Sequence, residues 1–233
     1  MIVHFDHSEA LTPNITSFYF RPTGKIQQVA GQFTEIHLPH AQPDDRGEKR
    51  WFTLSNSPTE SMLAITTRHA AEHGSTFKEA LWALKPGTEL SLADPMGDMV
   101  LPKDPKRPLL FVAGGMGITP MRSMLKWLLD THEQRPIRLL HAVQKAEDLI
   151  FASLFKEYSM DYTPIVSTPA PDWTGEQGRL TPERMLQSAQ SDQALIYLSG
   201  PEPMVEVFEK GLKDLGVAPE RILTDSFPGY SVI

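Results

Sequence analysis

The chain has 233 residues, with 29 acidic against 22 basic side chains, a formal net charge of −7 and no cysteine. That length holds one large domain or two small ones, and two are expected. The acidic balance argues against nucleic acid or an anionic membrane as a partner, and the lack of cysteine excludes disulfides, Cys-zinc sites and cysteine-ligated iron–sulfur clusters.

The first hundred residues carry short runs rich in Thr, Phe and Ile between Pro, Gly and Asn: ITSFYFRP, QFTEIHLPH, RWFTLSNSP, MLAITTRH and ELSLADPMG. Their spacing predicts an antiparallel barrel or sandwich. One helix interrupts them in STFKEALWALKPG, where Phe77, Ala80, Leu81 and Leu84 repeat at helical spacing, Ser75 caps the start and Pro86-Gly87 stops the run. DPMGDM, residues 94 to 99, reads as a structural turn, and LPKDPKRP, residues 101 to 108, as a linker. The boundary is placed between residues 104 and 105.

Beyond it, strands alternate with helices. PLLFVAGG, PIRLLHAV, YTPIVST, ALIYLSG and RILTDSF read as buried parallel strands. A helix with Met121, Met124, Leu125 and Leu128 on one face follows the first strand, and others are expected at AEDLIFASLFKEY, TPERMLQSAQ and PMVEVFEKGLKDLG. This alternation predicts a doubly wound α/β sheet with its ligand crevice at the carboxyl ends of the strands.

Two short segments invite chemistry. His69, Glu72 and His73 stand in the order H-x-x-E-H, the signature of one class of zinc peptidase, which needs both histidines one turn apart on a helix. The β-branched Ile65, Thr66 and Thr67 imply a strand before them, and Gly74 with Ser75 implies a helix starting only after them, so no metal is expected. FVAGGMGITPM sits after the first strand of the α/β half. There Gly114, Gly115 and Gly117 let backbone amides approach a pyrophosphate, the helix N-terminus adds partial positive charge, Thr119 can cap or donate, and Pro120 suits the first turn. The spacing is G-G-x-G-x-T-P rather than G-x-G-x-x-G, and no acidic residue closes the second strand, so the ordinary dinucleotide fingerprint is absent.

GGMGITP after an apolar strand, RWFTLSNSP in a preceding barrel and YLSGPEPM before the last helix together resemble the ferredoxin–NAD(P) reductase superfamily, over nearly the whole chain. The resemblance implies a flavin-binding barrel over residues 1 to 104 and a nicotinamide-nucleotide domain over 105 to 233. Arg50, Trp51, Phe52 and Thr53 match the flavin motif, with Arg50 on the phosphates, an aromatic face on the ring system and the Thr53 hydroxyl near the redox-active nitrogen. Phe52 departs from the usual tyrosine. Thr67, Arg68, Gly74, Ser75 and Thr76 match the segment that holds the flavin pyrophosphate, which favours FAD over FMN.

In the nucleotide half Met116 belongs to the phosphate loop, Ser199 replaces the usual cysteine beside the nicotinamide, and Gly200, Pro201 and Met204 follow it. Gln144 and Thr168 stand where NADPH-dependent members often carry arginine, so NADH is preferred over NADPH. Phe227 and Tyr230 are expected to cover the flavin, and Asp225 to aid proton delivery. The implied activity is hydride transfer from NAD(P)H to FAD, with electrons passed to a ferredoxin, a flavodoxin, an oxygenase component or free flavin. A regulatory flavin- or nucleotide-binding module without turnover is the competitor from another class, favoured by Phe52 and Ser199. No stretch approaches the roughly 18 apolar residues of a membrane helix and the N-terminus lacks a signal-like pattern, so a soluble cytoplasmic protein is expected.

Overall fold

The computed structural model of the chain describes residues 1–69 and 74–227. Strands β1 (Ile2–Thr12), β2 (Ile15–Pro22), β3 (Phe33–His37), β4 (Lys49–Thr53), β5 (Leu63–Arg68) and β6 (Glu89–Leu92) form an antiparallel sheet in the order β4-β3-β6-β1-β2-β5. Its edges meet just past β4, where the Ser55 N–H donates to the Ala64 carbonyl at 2.8 Å and the Ala64 N–H to Asn56 Oδ1 at 2.9 Å. The sheet thereby rolls into the expected barrel, around Val3, Phe5, Phe18, Phe20, Ile36, Leu54, Ile65 and Leu90. Helix α1 (Thr76–Trp82) starts as predicted, with Ser75 Oγ accepting from the Lys78 N–H at 3.2 Å and Phe77 and Leu81 buried. It ends at Ala83, before Pro86-Gly87.

Strands β7 (Leu109–Gly114), β8 (Ile137–Val143), β9 (Asp161–Val166), β10 (Glu176–Gln177), β11 (Leu195–Pro201) and β12 (Ile222–Phe227) form a parallel sheet in the order β10-β9-β8-β7-β11-β12. Neighbouring residues of β7 point to opposite layers. Phe111 packs with Met121, Met124 and Leu125 of α2 (Ile118–Asp130) and Phe155 of α3 (Ala152–Glu157). Leu110 and Val112 pack with Met185 of α4 (Pro182–Ser188) and Val205, Phe208 and Leu212 of α5 (Glu202–Asp214). Both faces are covered, and the strand order reverses between β7 and β11, which places the crevice there.

One expected helix is broken. Residues 146 to 158 give a 3₁₀ turn, Ala146–Asp148, then Phe151 with φ of +64°, then the short α3. The break serves one contact with the barrel half and one within the second: buried Asp148 lies 2.9 Å from the Arg68 guanidinium of β5, and the Phe151 ring lies 5.8 Å from the guanidinium of Arg122 on α2. Tertiary contacts outweigh the local period.

Helix α2 joins the two sheets. Ser123 Oγ donates to the Asn56 carbonyl at 2.6 Å and accepts from the Gly31 N–H at 3.3 Å. Arg122 donates to the Ser55 carbonyl at 2.9 Å and grips both carboxylate oxygens of Glu60. Gly31, with φ of +101°, admits no side chain, because a Cβ would lie 2.1 Å from the Met99 carbonyl oxygen. Ile15, Ala30 and Met99 of the first half enter one cluster with Met116, Ile118 and Met121 of the second. Replacing Arg122 by alanine leaves the partly buried Glu60 carboxylate with the Ser57 N–H but no cation, and is expected to cost about 1–3 kcal/mol, read as a lower urea midpoint at unchanged m-value. Lys210→Ala, which opens only an exposed i,i+4 pair with Asp214, should leave the midpoint where it is.

Candidate functional site

A cavity of about 560 Å³ lies between the barrel and the carboxyl ends of β7 and β12. Four cationic side chains, Arg46, Lys49, Arg50 and Lys78, line it, as do the apolar groups Phe33, Trp51, Phe52 and Met96. Hydroxyls of Thr53, Thr66, Thr67 and Ser75 complete the barrel side, while Met116, Thr119, Asp225, Ser226 and Phe227 form the opposite wall.

Arg50 is held in advance of any ligand. Its Nη1 donates to the carbonyls of Arg46, Gly47 and Lys49 at 2.7, 2.9 and 2.7 Å, and its Nη2 to Asp44 Oδ1 at 2.8 Å. The guanidinium lies 5.3 Å from the centre of the Phe77 ring, which in turn packs against Phe52 at 5.8 Å. Arg50 Nε and Thr53 Oγ1 are buried with no hydrogen-bond partner. Such atoms are costly to bury unless something completes them.

On the far wall, β7 runs into a 3₁₀ turn, Gly115–Gly117, that opens α2. The glycines are required by contact: a Cβ on Gly117 would sit 1.9 Å from the Ser199 carbonyl oxygen, and one on Gly114 2.3 Å from Met204 Sδ. Thr119 Oγ1 donates to the Met116 carbonyl at 3.0 Å, and Pro120 is buried in the first turn. Ser199 pairs in register with Ala113 on one side and Asp225 on the other. Ser199 Oγ and Asp225 Oδ2 are both buried without a partner. Burial pushes the Asp225 carboxyl up to about 6.

The cavity thus gathers Arg50, Trp51, Phe52, Thr53, Thr67, Ser75, Met116, Thr119, Asp225 and Phe227 of the residues expected from sequence. Gly114, Gly115, Gly117, Pro120, Ser199, Gly200, Pro201 and Met204 stand directly behind it at the ends of β7 and β11. Three others are engaged elsewhere. Arg68 faces Asp148; the Thr76 hydroxyl contacts His40 Nε2 at 3.0 Å and accepts from the Asp44 N–H at 2.9 Å; Gln144 is exposed beyond β8, its carbonyl accepting from the Thr168 N–H at 2.9 Å. Gly74 is exposed beside Ser75, and Tyr230 lies outside the described residues. Of the H-x-x-E-H segment, Glu72 and His73 also lie outside them. His69 continues from β5, its N–H donating to the Asn14 carbonyl at 2.8 Å and its ring packing on Trp82 at 4.7 Å. That is strand-end geometry rather than the helix a zinc pair needs.

Sequence reasoning missed Phe33, Arg46, Lys49, Thr66, Lys78, Met96 and Ser226 on the lining. Lys49 and Arg46 flank the RWFT motif and were within reach of it, whereas Phe33 and Met96 meet through an isolated bridge that no local pattern announces. It also missed His141, fully buried beneath the glycine turn.

Residues 111–210 match the family described as "Oxidoreductase NAD-binding domain". Flavohemoprotein A of Dictyostelium discoideum is 27% identical over 92% of this chain and 57% of its own length. The reductase subunit of stachydrine N-demethylase from Rhizobium meliloti is 27% identical over 94% of this chain and 65% of its own length. The chain therefore spans between half and two thirds of these relatives. The crystal structure of the flavohem-like FAD/NAD-binding domain of nitric oxide dioxygenase from Vibrio cholerae superposes with a TM-score of 0.83, at 21% identity, covering 97% of this chain and 98% of that one. The two-domain fold and the resemblance drawn from the sequence are borne out.

Asp225 gives the site a pH signature. Its folded-state value, about 6, lies above the ordinary 3.8, so the folded chain binds this proton more tightly than the unfolded one. The stability linked to protonation is complete below about pH 4 and is lost as pH rises through about 6. Asp225→Asn should exceed the wild type by up to about 3 kcal/mol at pH 7.5, the difference shrinking below pH 5 in denaturant titrations. A difference that does not change with pH would contradict the assignment.

Proposed function

We propose that this chain, whose residues 111–210 match the oxidoreductase NAD-binding domain family, is an FAD-dependent NAD(P)H oxidoreductase that passes electrons to an external acceptor. Residues 1–104 form its flavin-binding barrel and residues 105–233 its nicotinamide-nucleotide domain. The observation that carries this reading is the cavity that joins a cationic, aromatic barrel wall to the strand ends of the nucleotide half, with Arg50 Nε, Thr53 Oγ1 and Asp225 Oδ2 buried and unpartnered. A flavin dinucleotide has the complementary parts: phosphates for the cations, a flat ring for the aromatic face, and ring heteroatoms for the orphaned hydroxyl.

When bound, flavin supplies acceptance of a hydride and onward release of single electrons. The protein contributes placement. Arg50, with Arg46 and Lys49, holds the phosphates, and Phe52 gives a stacking face without the polarity of a tyrosine hydroxyl. Thr53 Oγ1 hydrogen-bonds the ring system. Phe33, Met96 and Phe227 exclude water from the reacting side. Ser199 Oγ, at the β7–β11 switch point, is placed for the nicotinamide carboxamide, and Asp225 Oδ2 holds a proton that it releases above about pH 6.

NADH is favoured over NADPH because the residue after β8, Gln144, is neutral. The lack of cysteine leaves no cluster within these residues, and a relative named as a reductase subunit supports an acceptor such as a ferredoxin, a flavodoxin, an oxygenase component or free flavin. Among the described residues no helix is long and apolar enough to cross a membrane; the absence of cysteine fits a cytoplasmic setting. The test is an anaerobic absorbance titration of the FAD-loaded chain with NADH and NADPH in parallel. NADH should bleach the flavin bands at lower concentration than NADPH. Bound flavin bleached by neither would make the chain a binding module, and failure to take up FAD would remove the reading.

A further inference from the structure

Strand β8 brings a histidine beneath the glycine turn that the mechanism above leaves unused. His141 has no exposed surface, on the face of the sheet that carries α2. Its Nε2 lies 3.1 Å from the Gly115 carbonyl oxygen, and its Nδ1 lies 3.5 Å from the Tyr162 hydroxyl. A carbonyl only accepts, so Nε2 carries the proton and Nδ1 is left to accept from Tyr162. Burial lowers the imidazole to about 4, despite the Gly115 bond and the charge of Asp148, and it raises Tyr162, so both groups are neutral near pH 7.

The Gly115 carbonyl also accepts from the Ile118 N–H that closes the 3₁₀ turn, so it is held from two directions. Gly115 itself has φ of +51°, a conformation that glycine adopts without strain but does not enforce. Across a trans peptide the C=O of one residue and the N–H of the next are antiparallel. With the Gly115 carbonyl drawn to His141, the Met116 N–H faces away from the imidazole, at the carboxyl end of β7 beside the switch-point crevice.

We propose that His141 is a positioning residue for nicotinamide-nucleotide binding: by holding the Gly115 carbonyl inward it presents the Met116 amide to the nucleotide pyrophosphate. This rests on the reading of the nucleotide half given above. It assigns a ligand-directed role to a side chain that sequence alone would leave as a core histidine.

The test compares His141→Gln, whose amide nitrogen can replace Nε2 as donor, with His141→Leu, which fills the space and donates nothing. The readouts are the dissociation constant for NAD⁺ by calorimetry on the FAD-loaded protein, the flavin absorbance and the melting temperature. We expect His141→Leu to weaken NAD⁺ at least tenfold with flavin content unchanged, and His141→Gln to stay within threefold of the wild type. Equal weakening in both variants, or a lower melting temperature without weaker NAD⁺ binding, would overturn the proposal. A wild type that binds no NAD⁺ would overturn the functional reading itself. In the unmutated protein the His141 Nε2 proton resonance should shift on saturation with NAD⁺, because a ligand on the Met116 N–H polarises the shared peptide; a resonance that stays fixed would also overturn the proposal.

Discussion

The hydrogen bonds that α2 makes to the 55–60 segment are the constraint on which the rest of the structure depends. The cavity has one wall on the barrel and one on the parallel sheet, so its shape exists only while the two sheets keep their relative position. Arg122 and Ser123 secure that position through carbonyls of the segment that closes the barrel, Ser55 and Asn56. The same helix begins at the glycine turn, one residue past the closest approach to Ser199. A displacement of α2 would therefore reach the barrel closure, the glycine turn and the strand-end serine together. Fixing reacting partners in this way is how an enzyme converts binding into rate when the chemistry belongs to a cofactor.

The polar atoms left unpaired fall into a pattern. Folded proteins satisfy nearly all buried hydrogen-bonding groups, yet among the described residues four of six buried unpartnered atoms, Arg50 Nε, Thr53 Oγ1, Ser199 Oγ and Asp225 Oδ2, stand on or just behind the two walls of one cavity; the other two, Arg138 Nε and Asp148 Oδ1, belong to side chains ion-paired elsewhere, with Asp161 and Arg68. Arg50 makes the point most sharply, because its two terminal nitrogens are already held by backbone carbonyls and Asp44. The fold fixes the side chain and leaves an N–H to be completed from outside. Asp225 is raised by burial alone, and this is the environment in which a carboxyl exchanges a proton near neutral pH.

Much of this was legible in the sequence. Alternating periods separated the barrel from the α/β half, and G-G-x-G after a buried strand located the turn whose crowding against Ser199 explains its glycines. What was not legible arises from contact between distant segments. β1, the longest strand, buries only Val3 and Phe5 fully and exposes a polar stretch around His7, Ser8 and Glu9, so its apolar alternation is too short to read. Arg68 looked like a phosphate ligand because it ends a strand beside the pyrophosphate segment, but a buried aspartate from the other half claims it. That same aspartate, with Phe151, breaks a helix the local pattern favours. The role of His141 depends on a carbonyl 26 positions away and has no signature in the strand that carries it.

The central claim is that the cavity between the two halves is the flavin site, and the most direct measurement is a crystal structure of the chain grown with FAD. The account predicts the phosphates at Arg50 and the ring system against Phe52 and Thr53, with the mutual arrangement of the two sheets unchanged. Flavin seated away from this cavity, or reached only after α2 leaves the barrel, would contradict it.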